Sequence, residues 1–339
     1  MGATSWSRRC AWVRRSSPTR VWRRSSRCWR SERGARMSRI RSTLAGPGGG
    51  FAAVLGAMVA FSTGFPIVKG IDLPAASIAF WRLGLGIAVL GALAVAFRTP
   101  WPRRLGPVVG TGLAFVTHQL IFIEATKLTS IAVVTLVAAM QPLLVALVSR
   151  RTVGERVPLS LIAWSGVALA GVALVLMRTA GDDSRDPLGD VLAVVNLFAF
   201  TAYFLAAKRA RTTGAPTLTF TASFLAVGLV VVTPFAFAAP TLVPATAFDV
   251  SWLVILALIP GNGHLLLNWA HQRVSAALAS IALAGIPLLG SLWGHLFFGE
   301  PFGLVHVAGI SLVAAAVVGS RVVEHRRTRE SRAEPVAER

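Results

Sequence analysis

From Phe51 to Ser320 the chain alternates long apolar runs with short polar breaks, and each run is roughly 20 residues long. That is the length an α-helix needs to cross about 30 Å of hydrocarbon at its rise of about 1.5 Å per residue. Ten runs can be drawn, at 51–69, 75–97, 105–123, 129–149, 158–177, 188–207, 217–237, 251–270, 275–298 and 302–320. The breaks carry turn or charge signals: Asp72-Leu73-Pro74, Arg98-Thr99-Pro100, Gly181-Asp182-Asp183 and Arg211-Thr212-Thr213-Gly214. Hydrocarbon offers a backbone amide no partner, so such spans are helices. The expectation is an all-α membrane protein with ten transmembrane helices.

Two stretches align without a gap at a constant offset of 145 residues. Ala125, Ser130, Ala132, Leu136, Ala139, Pro142, Leu143, Leu144, Gly154 and Glu155 meet Ala270, Ser275, Ala277, Ile281, Ala284, Pro287, Leu288, Leu289, Gly299 and Glu300. A second match, at an offset of 139, sets Ala60-Phe61-Ser62, Phe65 and Lys69 against Ala199-Phe200-Thr201, Phe204 and Lys208. Coincidences of Ala and Leu mean little in apolar helices. A shared Pro-Leu-Leu with Gly-Glu ten residues after it means more. Five spans per copy is an odd number, so the second copy enters the membrane from the opposite face. The chain thus reads as two inverted five-helix repeats, 51–177 and 188–320, an arrangement that in secondary transporters sets the substrate near the midplane.

The string Ala125-Thr126-Lys127-Leu128-Thr129-Ser130, continuing through Gln141-Pro142-Leu143-Leu144 to Gly154-Glu155, resembles the signature of an EamA domain. Its echo from Ala270 to Glu300 resembles the second domain of such a pair, and Phe80-Trp81-Arg82 is similar to the family's second-span pattern. The resemblance to EamA-type members of the drug/metabolite transporter superfamily covers about residues 51–320. It implies a ten-helix exporter or importer of small metabolites. One departure is Phe61-Ser62-Thr63-Gly64, where many relatives carry a Trp-Gly pair.

Composition agrees with a bilayer: 54% of residues are hydrophobic, 14% are charged and the mean hydropathy is +0.65. The net charge of +20 first suggests nucleic acid, but 13 of the 34 basic residues are arginines before residue 42 and six more follow Ser320. No nucleic-acid partner is expected. Residues 1–50 form a basic tail whose opening stretch has no continuous apolar core and so is not a signal peptide. Two readings stay open for residues 1–36: a segment lying on anionic lipid, or a start-site artefact with translation beginning at Met37. Residues 321–339 form a charged C-terminal tail. Both cysteines, Cys10 and Cys28, lie in the first tail, so no disulfide framework is supported.

With the N-terminus inside, cytoplasmic loops hold Arg98, Arg103, Arg104, Arg150, Arg151, Arg156, Lys208, Arg209, Arg211 and Arg273, against Lys69, Lys127, Arg178 and Arg185 outside. By the positive-inside rule the protein sits in the cytoplasmic membrane with both termini cytoplasmic.

An ionisable side chain inside the membrane is a functional candidate. Arg82 lies about two turns into the second span, and its planar fork of donors suits a carboxylate or phosphate; pairing with Glu124 is the plain alternative. Trp81 stands beside it. His118-Gln119 in the third span and Asn262 and His264 in the eighth occupy nearly equivalent repeat positions. The run Pro260-Gly261-Asn262-Gly263 weakens its helix, as backbone lining a cavity can. Asn196 and Tyr203, seven apart, share a helical face, and with Asn268 they complete a polar lining. The competing account of each is an ordinary hydrogen bond between helices. Pro142 and Pro287 are candidate kinks or hinges, with Gln141 able to re-satisfy a freed carbonyl. Glu155 and Glu300 precede Pro158 and Pro301 and read as helix-start caps. The pairs Gly106/Gly110 and Gly290/Gly294 fit close helix packing.

The histidines show neither ligand spacing nor a nearby carboxylate pair, so no metal site is expected. No phosphate-cradling Gly-rich loop is present, and no cofactor is expected. An enzyme is disfavoured by the lack of paired carboxylates, an HExxH helix or a Ser/Lys dyad. The leading function is a secondary transporter moving a small organic metabolite, an amino acid or similar, by alternating access and in the export direction. Efflux of drugs or toxic compounds is the rival, and a sensor or scaffold is the alternative from another class. The first span has no carboxylate, so a histidine is the group left to carry a coupling proton. Oligomeric state is not legible.

Overall fold

A computed structural model describes residues 46–179, 186–298 and 302–337. From Gly50 onward they form one compact unit. The two cysteines, Arg185 and Glu300 lie outside the described residues. The described chain is helical, without a strand: α1 (Pro47–Ser62), α2 (Gly64–Gly70), α3 (Ala75–Ala96), α4 (Leu105–Leu128), α5 (Ile131–Ala138), α6 (Gln141–Thr152), α7 (Leu159–Thr179), α8 (Pro187–Thr212), α9 (Thr217–Ala238), α10 (Ala247–Leu258), α11 (Pro260–Ala270), α12 (Ala276–Leu283), α13 (Ile286–Phe298) and α14 (Leu304–Ala337).

Eight helical segments, counting α1–α2, α5–α6 and α10–α11 as interrupted units, are long and apolar enough to cross a membrane. Two shorter apolar helices, Leu159–Val175 and Ala276–Gly290, complete the set among the described residues. This is a multi-pass helical membrane protein. Two ends differ from the sequence expectation. Helix α8 continues to Thr212, which draws Lys208 and Arg211 out of the loop and buries both. Helix α14 runs on through the charged tail, where no Gly or Pro interrupts residues 321–334.

Helix starts follow their capping residues. Ser130 Oγ accepts from Val133 N at the start of α5, and Ser275 Oγ accepts from Leu278 N at the start of α12. Asp186 caps α8 through Leu188 N, with Pro187 in the first turn. These side chains satisfy amides that the helix itself leaves without partners.

Packing pairs α3 with α9, α7 with α14 and α4 with α8, while α5 touches α13 and α6 touches α12. The expected glycine pairs do not make these contacts: a Cβ at Gly106, Gly110 or Gly290 would meet nothing within 4 Å. Close approach occurs instead where α7 crosses α14. There a Cβ on Gly171 would lie 2.8 Å from Gly309 O, and one on Gly309 would lie 2.6 Å from Gly171 O. Gly171→Ala and Gly309→Ala are therefore each expected to destabilise by about 1–3 kcal/mol, read as a lower unfolding temperature in detergent. Gly110→Ala, with open space around it, should match or slightly exceed wild type.

Candidate functional site

Four of the apolar runs are not continuous helices. Their interruptions fall at Thr63, at Ala139–Met140, at Ile259 and at Ala284–Gly285. Local chemistry explains why each is tolerated. Ser62 Oγ and Thr63 Oγ1 donate to Val59 O (2.7 Å) and Ala60 O (2.8 Å). Thr135 Oγ1 donates to Ile131 O (2.8 Å) and Ser280 Oγ to Ala277 O (2.9 Å), a turn or less before their breaks. Asn262 Nδ2 donates to Leu258 O (2.5 Å) across the break opened by Pro260, which has no N–H. Pro142 and Pro287 stand in the first turn after their breaks, so the expected kinks are full interruptions.

All four interruptions border one cavity of about 70 Å³. Phe61 and Gly64 come from the first, Ala138, Ala139 and Gln141 from the second, Pro260 from the third, and Leu283, Ile286 and Pro287 from the fourth. Unbroken helices contribute Arg82, His118, Phe122, Asn196 and Phe200. Irregular backbone at membrane depth is stable only where it faces protein or a cavity, and here it faces both.

His264 sits at the centre of the polar set. Arg82 Nη2 lies 3.4 Å from its Nε2 and Tyr203 Oη lies 3.0 Å from its Nδ1. A guanidinium only donates, so Nε2 is the acceptor and Nδ1–H donates to the tyrosine oxygen. The imidazole is thereby neutral with a defined tautomer. His118 Nδ1 donates to Asn196 Oδ1 at 2.7 Å, and the His118 ring packs on Phe200 with centroids 4.6 Å apart. Gly263 is required beside them: a Cβ there would stand 2.7 Å from the Phe61 ring, which packs 4.6 Å from His264. Arg82 is buried without a carboxylate partner among the described residues. The effective penalty for such an ion is several kcal/mol.

The structure thus brings Arg82, His118, Asn196 and His264 to the cavity, with Tyr203 behind His264. Other expected lining residues lie elsewhere. Trp81 donates from Nε1 to Leu242 O (2.8 Å), because neighbours on a helix point about 100° apart and Arg82 already faces inward. Gln119 is fully buried off the cavity, with both amide atoms lacking a partner. Asn268 donates to Thr221 Oγ1 (3.1 Å) between helices. Asn262 mends its break and borders only a cleft of about 10 Å³ shared with Arg82. Gln141 does not re-satisfy a carbonyl: its Nε2 is buried without a partner beside the cavity. The four phenylalanines of the lining went unmarked, since apolar aromatics on apolar helices carry no signal of their own.

A second polar cluster lies at the C-terminal end of α8. Lys208 Nζ donates to His271 O and Val274 O, both at 2.6 Å, and pairs with Glu155 at 3.0 Å. Glu155 does cap a helix, but not its own: Oε2 accepts from Ala276 N (2.7 Å) at the start of α12. Glu324 of α14 accepts from Ser275 N (3.0 Å) and from Ser275 Oγ. Two carboxylates thus meet the positive end of α12, where the helix dipole favours them. Arg211 is held by Asn268 O, Thr217 and Gln272. Burial, aided by the charges of Lys208 and Arg211, pushes the His271 imidazole well below its ordinary range and keeps it neutral. Among the described residues no cluster of three metal-ligating side chains forms.

Interrupted apolar helices around an internal cavity are the architecture of a polytopic membrane transporter. The sequence matches the EamA-like transporter family twice, over residues 48–177 and 187–322. Pseudopaline exporter CntI of Pseudomonas aeruginosa, in two strains, is 27% identical over 253 residues, which are 74% of this chain and 87% of that protein. A solved crystal structure shares the fold with a TM-score of 0.72 at 20% identity, covering 82% of this chain and 98% of that one. The chain belongs to the EamA-like transporter family.

The Lys208–Glu155 pair yields a stability prediction. Glu155→Ala leaves a buried ammonium with carbonyls alone, and the expected loss is about 2–3 kcal/mol. That is below the roughly 3–5 kcal/mol typical of breaking a fully buried pair, because Glu155 is partly exposed. Lys208→Met combined with Glu155→Ala should recover part of the loss, read from unfolding temperatures in a double-mutant cycle. Purely additive effects would refute the coupling.

Proposed function

We propose that this protein is a secondary transporter that exports a small organic metabolite, amino-acid-like in size, across the cytoplasmic membrane by alternating access. The observation that carries the reading is the convergence of four helix interruptions on one cavity. Discontinuous helices of this kind form the binding sites of many secondary transporters. Similarity to a protein named as a pseudopaline exporter supports the outward direction.

The proposed architecture is ten spanning helices in two inverted repeats, 51–177 and 188–320, with both termini cytoplasmic. Several pairs of contacts support it. The Ser130 cap on Val133 is matched by the Ser275 cap on Leu278. Lys69 Nζ approaches Thr129 O (3.4 Å) as Lys208 Nζ approaches Val274 O. The breaks at Ala139 and Ala284 match too, and their helices pair crosswise, α5 with α13 and α6 with α12. In this scheme the cluster of Lys208, Glu155 and Glu324 closes the cytoplasmic end, and the interruptions at Pro142 and Pro287 are the hinges.

Metabolite profiles of medium and cytoplasm from cells expressing wild type or empty vector test the reading. A solute enriched outside only with wild type is the expected result. No difference in export, followed by none in uptake, would leave a sensor or scaffold as the better account. Histidine is the cavity side chain whose unperturbed imidazole changes charge near neutral pH, and His264 already accepts from Arg82, so His118 is the group assigned a coupling proton. Dissipating the pH gradient should then slow export by wild type, while His118→Gln should not respond to it. A wild-type rate unmoved by the gradient excludes proton coupling.

A further inference from the structure

The cavity is unbalanced in charge and in hydrogen-bonding capacity, and both imbalances have the same sign. Among the described residues Arg82 is the one lining residue with a fixed charge, and no Asp or Glu lines the cavity. The residue is 7% exposed, and the partner its guanidinium has is His264 Nε2 at the long distance of 3.4 Å. A guanidinium presents about five N–H donors, so one long contact leaves most of them unused. The amide nitrogen of Gln141, also buried beside the cavity, has no acceptor either.

Two nearby acceptors are committed. Asn196 Oδ1 takes the proton of His118 Nδ1, and His264 Nε2 takes that of Arg82. What the site lacks is an acceptor with negative charge. Other cations are held elsewhere: half-buried Lys127 by Ile71 O, and buried Lys208 and Arg211 by Glu155 with two carbonyls and by Asn268 O with its neighbours. A second negative charge on a ligand would therefore meet no cation in the cavity. The rest of the wall is apolar and largely aromatic, made by Phe61, Phe65, Phe122 and Phe200 with Leu283 and Ile286.

We infer that the transported solute is a small monoanion with an apolar body, its carboxylate held by Arg82 and its body enclosed by the four phenylalanines. This deepens the transport reading of the same cavity and rests on it. The guanidinium fork takes both carboxylate oxygens through two charge-assisted hydrogen bonds, which offset the hydration the carboxylate gives up.

Four probes that share a phenyl ring and differ in head group vary the charge: phenylacetate, phenylacetamide, 2-phenylethylammonium and the dianion phenylmalonate. Full-length protein in lipid nanodiscs is titrated with each by calorimetry. Phenylacetate should bind at least about tenfold tighter than the other three, the scale of one buried charge-assisted hydrogen bond. Arg82→Gln should erase that preference, and Arg82→Lys should keep a reduced one, since the charge stays but the fork is gone. The proposal fails if the amide or the ammonium binds as well as the carboxylate, or if none of the four binds at millimolar concentration. It also fails if the preference survives in a folded Arg82→Gln protein. Should Arg82→Gln not fold, the comparison of the four probes on wild type still decides. Counterflow of labelled phenylacetate in proteoliposomes separates the two layers. Charge-selective binding without flux keeps the anion site and sinks the transport reading. Flux of neutral or cationic solutes with no preference for the carboxylate does the reverse.

Discussion

A backbone amide left unpaired in hydrocarbon costs several kcal/mol, so a membrane helix is broken only where something else pairs the freed groups. This chain breaks four helices, and everything distinctive about it follows from how those breaks are accommodated. Serine, threonine and asparagine side chains reach back to carbonyls at or near each break. The remaining cost is avoided by turning all four breaks toward one another. Because they converge, the space between them is at once a defect in packing and a place where polar groups can point inward. Arg82, His118, Asn196 and His264 use that space.

The polar groups are ordered by the one residue among them that has no acceptor capacity. Arg82 can only donate, which fixes the His264 tautomer and, through it, the hydrogen bond to Tyr203. Gly263 lets Phe61 close over the same imidazole. Aromatic rings surround the set, so its few polar contacts work in a medium of low dielectric where each is stronger than in water. At the end of α8 the same physics is used differently. There Lys208 is given a carboxylate and two carbonyls, so its charge and its donors are already met. The contrast between a satisfied buried cation and an unsatisfied one distinguishes a structural joint from a site.

Much of the helical layout was legible because period and length are local properties. Apolar runs of about 20 residues, their capping serines and their breaker residues announce helices without any knowledge of neighbours. Arg82, His118, Asn196 and His264 could be marked for the same reason: a polar side chain in an apolar run is conspicuous wherever it ends up. The phenylalanine walls could not, since Phe122 in the cavity and Phe224 in the core look alike in sequence. Trp81, Gln119 and Asn268 are equally conspicuous and yet lie off the cavity, because conspicuousness does not say which way a helix is rotated.

By itself, then, the sequence determined the membrane class, the helical runs, the repeat pattern in its residues and the short set of polar candidates, all of which depend on composition and spacing along one chain. Tertiary structure alone decided which candidates meet. The rotation of α3 sends Arg82 inward and Trp81 to Leu242, and the docking of Glu155 onto α12 joins residues 121 positions apart. That Arg82 meets no carboxylate among the described residues is likewise a property of what surrounds it. Such outcomes depend on how several helices pack against one another, and packing is a many-body constraint that no single stretch of residues encodes.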